Sequence, residues 1–254
     1  MHETSHYLVF IDKSRNSTLG KSILGPLFFS DFNSYRLRHW QHHLKLGIDG
    51  ETKLTYLNQI KGKYFFLFLF KCIFLVELFT KLIGLKNVEA NPNKKKSGLP
   101  KTQILRIISI QFLVFSLIFL TDLLLNHRTL LSTGFWSIVN YSIYLYCILS
   151  VTVFVSSLRA IAEHQIHQNQ NVIVGFAALR NFECNWFSRI IFGSYGFGEH
   201  LTPHHNLAIP YYNLEKATDI LVEENQEYHK GPGYFNTLFQ QCGLKKIVKP
   251  KNSN

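Results

Sequence analysis

Histidines at short, regular spacings are the residues of this chain that could do chemistry. The chain has 12 histidines, and most fall into four short motifs: His2 and His6 in HETSH, His39, His42 and His43 in RLRHWQHHLKLG, His164 in RAIAEH, and His200, His204 and His205 in GFGEHLTPHH. Residues four apart on a helix share a face, so His2 and His6 can reach one ion. Neutral imidazole binds iron, zinc, copper and nickel. The pattern therefore indicates a transition-metal site.

The number of histidines predicts two ions rather than one. A single His-x-x-x-His pair is more often a solvated helix face, but three such motifs in one chain are hard to explain that way. Nine imidazoles exceed the roughly four to six ligands that one ion uses. In the last motif, Pro203 argues against a continuous helix. The residue types predict Thr202 as the N-cap and Pro203 at the first helical position, with His200 reaching in from the preceding loop.

Long apolar stretches must position these motifs. Ile107–Leu125 and Phe135–Leu158 each approach the roughly 20 residues that cross a hydrocarbon core, and they predict a transmembrane hairpin. Tyr64–Leu85 is also apolar, but three charged residues interrupt it, so we expect an interfacial or re-entrant helix there. With two crossings between the second motif and His164, all the histidine motifs face one side of the membrane.

Charge sets the expected orientation of the hairpin. The chain has 27 Lys and Arg against 16 Asp and Glu, a net charge of +11. Lysines cluster before the hairpin at 94–96, whereas the connection 126–134 carries little charge. The positive-inside rule then places both flanks in the cytoplasm. The basic residues form no stripe with interleaved aromatics, which argues against a nucleic-acid partner. The four cysteines are widely separated, which argues against a disulfide scaffold.

These features predict one all-α domain over residues 1–254, an integral membrane helical bundle with a cytosolic helical cap that holds the histidine site. Residues 1–63 form the first cytosolic part, 64–85 the interfacial helix, 107–125 and 135–158 the hairpin, and 159–254 the second cytosolic part. The compact chain has no fused carrier domain, which favours a bacterial inner membrane over an internal eukaryotic one.

The motifs resemble those of the membrane-bound fatty acid desaturase family, whose three histidine boxes read HxxxH, HxxHH and HxxxHH. HHNLAIPYYNL is similar to the family's ending of the third box, with Ala208 where proline is common. RAIAEH is similar to an Arg-x-x-x-Glu-His element of one subgroup. The resemblance implies that two Fe²⁺ ions are held by His2, His6, His39, His42, His43, His164, His200, His204 and His205. Four carboxylates beside the boxes could orient the rings or could be plain solvated side chains: Glu3, Asp31, Glu163 and Glu199.

The function implied by this resemblance is an O₂-dependent desaturase that introduces a double bond into an acyl chain of a lipid in the bilayer. A hydroxylase with the same site is an alternative. Family members usually carry a membrane hairpin before the first box, which begins here at residue 2. We therefore expect that hairpin to be missing, which makes a truncated, non-catalytic relative a further alternative. The chain has no nucleotide, flavin or haem motif, and the implied electron donor is a ferredoxin or a b-type cytochrome.

Overall fold

A computed structural model of the chain describes residues 1–45, 63–76, 99–126, 129–164, 179–225 and 228–241. It is mostly helical, as the sequence predicted. The chain divides into two compact units. Unit 1 comprises Met1–His39 and Cys72–Val153, and unit 2 comprises Trp40–Lys71 and Phe154–Asn254.

Up to residue 164, the elements in the described part of the chain are helical: α1 His2–Ser5, α2 Lys13–Leu19, a π-turn Gly20–Leu24, α3 Gly25–Leu27, α4 Phe32–Leu44, α5 Lys63–Ile73, α6 Lys101–Asn126, α7 Leu130–Tyr146, a π-turn Cys147–Val151 and α8 Thr152–Glu163. Polar side chains cap several of them. Asp12 Oδ1 accepts a hydrogen bond from the Ser14 amide at 2.7 Å. Asp31 Oδ2 accepts one from the Ser34 amide, also at 2.7 Å. Such caps satisfy amides that have no partner inside the helix and so fix where it begins.

The later elements belong to unit 2: β1 Asn181–Phe182, α9 Trp186–Ile191, a 3₁₀ segment Ser194–Glu199, α10 Leu201–His205, a 3₁₀ turn Tyr211–Asn213, α11 Leu214–Glu224, β2 Lys230–Gly231 and α12 Tyr234–Gln241. Strands β1 and β2 are parallel, with Asn181 opposite Lys230 and Phe182 opposite Gly231. This short pairing joins the segments on either side of the third histidine box.

The start of α10 differs from the sequence prediction. The helix begins at Leu201 with His200 as its N-cap, so the predicted cap at Thr202 is wrong. The cap comes instead from strand β1, because Asn181 Oδ1 accepts a hydrogen bond from the Leu201 amide at 2.9 Å. The Thr202 hydroxyl is used elsewhere and bonds to the hydroxyl of Thr218.

Two helical stretches, Lys101–Leu125 and Leu130–Glu163, are long and apolar enough to cross a membrane. Only 11% and 6% of their most apolar windows are buried, whereas a core helix of a soluble protein would be covered. They contain the predicted segments 107–125 and 135–158; the first begins earlier than predicted, and the second extends beyond its segment at both ends. Helix α5 begins where the interfacial helix is predicted, and residues 77–85 of that prediction lie outside the described residues.

Polar side chains tie the segment before α4 to the hairpin within unit 1. Gln111 Nε2 donates to the carbonyl of Pro26 at 3.1 Å, and its Oε1 accepts from Tyr141 Oη at 3.0 Å. Buried amides need such partners, since an unmatched polar group in an apolar setting costs roughly 1–3 kcal/mol. Gly20 allows the same segment to pack tightly, because a Cβ at this position would overlap the ring of Phe32.

Candidate metal centre

Three histidines of unit 1 converge in what we call the first cluster: His2, His6 and His39. His2 begins α1, His6 is the C-cap that follows it, and His39 lies on α4. The Nε2 atoms of His6 and His39 are 2.8 Å apart. His2 contributes a ring nitrogen within 4.8 Å of the others. Both His6 and His39 are buried.

The first cluster is held in place by the turn that follows α1. Asn16 is fully buried, and its Oδ1 accepts hydrogen bonds from the amides of Val9 and Phe10 at 3.1 and 3.2 Å. Its Nδ2 donates to the carbonyls of Phe10 and Asp12 at 2.6 and 2.9 Å. The side-chain amide therefore uses its full hydrogen-bonding capacity to join this turn to α2.

The charges around the first cluster favour neutral imidazole. Burial, and then the neighbouring His2 and Arg36, lower the pKa of His6 to about 3. A neutral ring keeps a lone pair for a metal. Glu3 Oε1 lies 2.8 Å from Nδ1 of His2 and can orient that ring.

Residue Tyr7, directly after His6, has a left-handed backbone with φ of 62°, and the Arg36 guanidinium lies 3.9 Å from the centre of its ring.

Five histidines of unit 2 form the second cluster: His42, His43, His164, His200 and His204. The Nε2 atoms of His42 and His164 are 3.3 Å apart, and the Nδ1 atoms of His43 and His204 are 3.1 Å apart. Ring nitrogens of His42, His200 and His204 all lie within 4.8 Å of one another. His42 is fully buried.

The rings of the second cluster are oriented by neighbouring acceptors. His164 Nδ1 lies 2.9 Å from the carbonyl of Ala160 and donates to it, so the lone pair is on Nε2, the atom near His42. Glu163 is buried, and its Oε2 lies 3.5 Å from Nδ1 of His200. The other oxygen, Oε1, lies 2.9 Å from Arg159 Nε and accepts from Tyr234 Oη at 3.0 Å. Burial, and then the negative charge of Glu163, raise the pKa of Tyr234 well above its usual value, so the hydroxyl keeps its proton.

Asn181 sets the position of the helix that carries His204. It is buried on strand β1 and caps α10, as described above, and its Nδ2 donates to the carbonyl of Tyr228 at 2.9 Å. The box-three helix is therefore attached at its first residue to a side chain that lies about twenty positions earlier in the chain.

The donor set fits transition-metal ions. Two ligands of one ion are roughly 3.0–3.4 Å apart when the metal–nitrogen bonds are about 2.1 Å long. The closest nitrogen pairs in the two clusters are 2.8, 3.1 and 3.3 Å apart. Imidazole nitrogens packed this closely, with few carboxylates among them, suit iron, zinc or copper and not magnesium or calcium. Each unit thus has enough convergent ligands for one ion.

Comparison with known proteins agrees with this chemistry. The family model for fatty acid desaturases matches residues 1–236, nearly the whole chain. The chain belongs to the fatty acid desaturase family. No curated protein and no solved structure gives a significant match. Membership of the desaturase family and the two long apolar helices together indicate a membrane protein that modifies fatty acids by oxidation–reduction.

The structure brings eight of the nine predicted histidine ligands into the two clusters. His205 lies outside them. It is exposed, and its Nδ1 is 2.7 Å from Tyr228 Oη, so its role as a ligand stays a prediction. Of the remaining histidines, His229 is exposed, and those at 127 and 167 lie outside the described residues.

Of the four predicted carboxylates, two lie beside histidine rings and two have other partners. Glu3 and Glu163 lie beside ring nitrogens of His2 and His200. Glu199 lies 2.9 Å from Lys230 Nζ instead, and burial raises the pKa of this carboxyl in spite of the lysine. Asp31 caps α4.

The sequence reasoning missed the supporting residues. Asn16, Asn181 and Tyr234 all lie outside the histidine motifs. Tyr234 lies 71 positions from Glu163 in the sequence, so no local spacing could connect the two.

Proposed function

We propose that the protein is an O₂-dependent di-iron acyl-lipid desaturase, which removes two hydrogens from adjacent carbons of an acyl chain and leaves a double bond. The observation that carries the proposal is the presence of two clusters of convergent, neutral histidine nitrogens in a chain of the desaturase family. Hydrogen removal from an unactivated methylene exceeds what acid, base or nucleophilic side chains can do, so a cofactor must supply it.

Each cluster would hold one iron ion. His2, His6 and His39 supply the ligands in unit 1, and His42, His43, His164, His200 and His204 supply those in unit 2. When bound, the ferrous ions supply the activation of O₂ that makes hydrogen abstraction possible. The protein contributes neutral ligands in fixed tautomers, held by Glu3, by Glu163 and by the Ala160 carbonyl. Burial of His6, His39 and His42 keeps bulk water from these nitrogens.

The long apolar helices fit an acyl substrate delivered from the bilayer, and we propose that the histidine clusters face the cytoplasm of a bacterial inner membrane. The basic flanks of the hairpin support this orientation under the positive-inside rule. Electrons would come from a separate carrier, a ferredoxin or a b-type cytochrome. The net charge of +11 would speed encounter with an acidic carrier.

The decisive experiment counts iron per chain in protein purified in detergent. We expect about two iron ions in the wild type and about one in His6→Ala, since that variant breaks the first cluster. His42→Ala and His204→Ala each break the second cluster, and we expect about one iron ion in each. His229→Ala is the matched control, because it removes an exposed histidine that belongs to neither cluster, and it should keep both ions. Iron near zero in the wild type would refute the proposal.

Product analysis then identifies the reaction. The wild type, supplied with reduced carrier and O₂, should convert lipid acyl chains to products two mass units lighter. Products sixteen mass units heavier would identify a hydroxylase instead. An iron-loaded protein that gives neither product would contradict the catalytic proposal while leaving the metal sites intact.

A further inference from the structure

The two carboxylate oxygens of Glu163 contact different residues. Oε2 is 3.5 Å from Nδ1 of His200, a ring of the second cluster. Oε1 is directed away from that ring and meets Arg159 Nε at 2.9 Å and Tyr234 Oη at 3.0 Å. A buried carboxylate that has an ion pair and a hydrogen bond on one oxygen keeps a fixed orientation, and here that orientation presents the other oxygen to the histidine.

The contacts around Glu163 form a closed ring across three segments. Arg159 lies one turn before Glu163 on α8, and its guanidinium is 3.8 Å from the centre of the Phe197 ring. The Tyr234 hydroxyl, on α12, is 2.9 Å from the Phe197 carbonyl as well as 3.0 Å from Glu163. The 3₁₀ segment that precedes His200 is thus tied to the same carboxylate that faces its ring.

We propose that Tyr234 is a positioning residue for the metal site of the second cluster. Its hydroxyl fixes the Glu163 carboxylate, which in turn holds the His200 ring with Nδ1 toward the carboxylate and Nε2 available to the metal. The inference rests on the metal site of the proposed function and adds to it a residue from outside the histidine boxes. Outer-shell partners of this kind fix the tautomer and orientation of a ligating histidine.

The hydroxyl can be separated from the rest of Tyr234. The aromatic ring stacks on Phe182 at 4.0 Å and on Phe192 at 5.1 Å between ring centres, and it has no exposed surface. Tyr234→Phe keeps this stacking and removes only the contacts to Glu163 and Phe197. The chain also offers a matched control on the same helix. Thr237 is fully buried, and its hydroxyl donates to the Pro232 carbonyl at 3.2 Å, away from Glu163. Thr237→Val removes a buried hydroxyl without touching the network.

The experiment uses the full chain in detergent, carries His6→Ala so that only the second cluster binds, and takes Co²⁺ as the probe. The visible ligand-field spectrum reports the geometry around cobalt, and transfer of cobalt to a chelator reports how firmly it is held. We expect Tyr234→Phe to shift the spectrum and to speed cobalt loss about threefold to tenfold. Glu163→Gln should weaken retention by about 10- to 100-fold, and Thr237→Val should match its parent in both readouts.

The double variant Glu163→Gln/Tyr234→Phe tests whether Tyr234 acts through the carboxylate. We expect it to lose cobalt no faster than Glu163→Gln alone, because the hydroxyl then has no carboxylate to fix. Tyr234→Phe with a parental spectrum and parental retention would overturn the proposal, as would additive effects in the double variant. Failure to bind cobalt in the parent would overturn both this proposal and the metal site. Cobalt binding without desaturation by the iron-loaded protein would count against the proposed reaction alone.

Discussion

The two histidine clusters differ in the number of rings they contain and in the number of residues that support those rings. The first cluster takes three rings from two helices, and a single buried amide, Asn16, secures the turn beside it. The second takes five rings from three segments and is supported by the Glu163 network and by Asn181. Metal sites depend on neighbours that lock the ligand rotamers. The difference predicts that the loss of one support weakens the site of its own unit first.

Among the variants that test this comparison, Asn16→Ala is expected to have the largest effect. The change leaves the amides of Val9 and Phe10 and two carbonyls without their side-chain partner in a partly buried turn. At about 1–3 kcal/mol for each group left unsatisfied after relaxation, we expect a loss of about 2–4 kcal/mol in unfolding free energy. Thermal unfolding in detergent and iron counting should show lower stability and about one iron ion per chain.

The control for that change is Asn33→Ala, which alters an exposed asparagine on α4 and should keep both ions. If Asn16→Ala lost both ions, or neither, the two clusters would not be held independently.

A slightly smaller effect is expected for Asn181→Ala in unit 2. The variant removes the cap on the Leu201 amide and the bond to the Tyr228 carbonyl, at a cost of about 2–3 kcal/mol. We expect the second cluster to lose its ion while the first keeps its own, the reverse of the Asn16→Ala result. Iron counting on Asn181→Ala combined with His6→Ala measures this directly. That double variant should be nearly free of iron, and a full equivalent remaining would show that α10 does not need its cap.

Gly20→Ala probes the packing beneath α4 in unit 1. The added methyl would overlap the ring of Phe32, which is fully buried, and such overpacking costs about 1–2 kcal/mol. We expect a lower unfolding temperature with partial recovery in Gly20→Ala/Phe32→Leu, where a smaller side chain makes room. No recovery in the double variant would mean that the strain lies in the backbone rather than in this contact.

The smallest effect is expected for His205→Ala. The side chain is exposed and contacts Tyr228, away from the nitrogens of the second cluster. We expect two iron ions per chain and unchanged retention, with Tyr228→Phe as the companion variant. Loss of one ion in His205→Ala would restore the assignment that the box pattern implies.

The sequence predicts the local features of this protein better than the contacts between residues that are distant in the chain. The histidine spacings predict which rings can converge because residues four apart on a helix share a face, and eight of the nine rings lie in the two clusters. The apolar stretches predict both long helices because length and hydropathy are properties of a continuous segment.

Contacts between segments that lie far apart in the sequence could not be predicted from it. Thr202 has the residue type and position of an N-cap, yet Asn181 supplies the cap from a strand that no local signal marks. Tyr234 and Glu163 meet only because the segments after the third box fold back along β1. Asp31 and Glu199 lie beside boxes in the sequence, but a helix amide and a lysine are their partners. Spacing along the chain therefore predicts which histidine rings converge better than it predicts which residues orient them.

The parallel pairing of β1 with β2 also sets an order of events during synthesis. His204 leaves the ribosome 30 residues before Tyr234, and at about 5–20 residues per second that interval lasts roughly one to six seconds. During this time the third box exists without β2, without α12 and without the hydroxyl that fixes Glu163. Its imidazoles are then open to whichever available metal binds imidazole most strongly. Correct metal loading of the second cluster therefore requires the finished chain. A ribosome that stalls before residue 230 would release the histidines of this cluster without the structure that orients them.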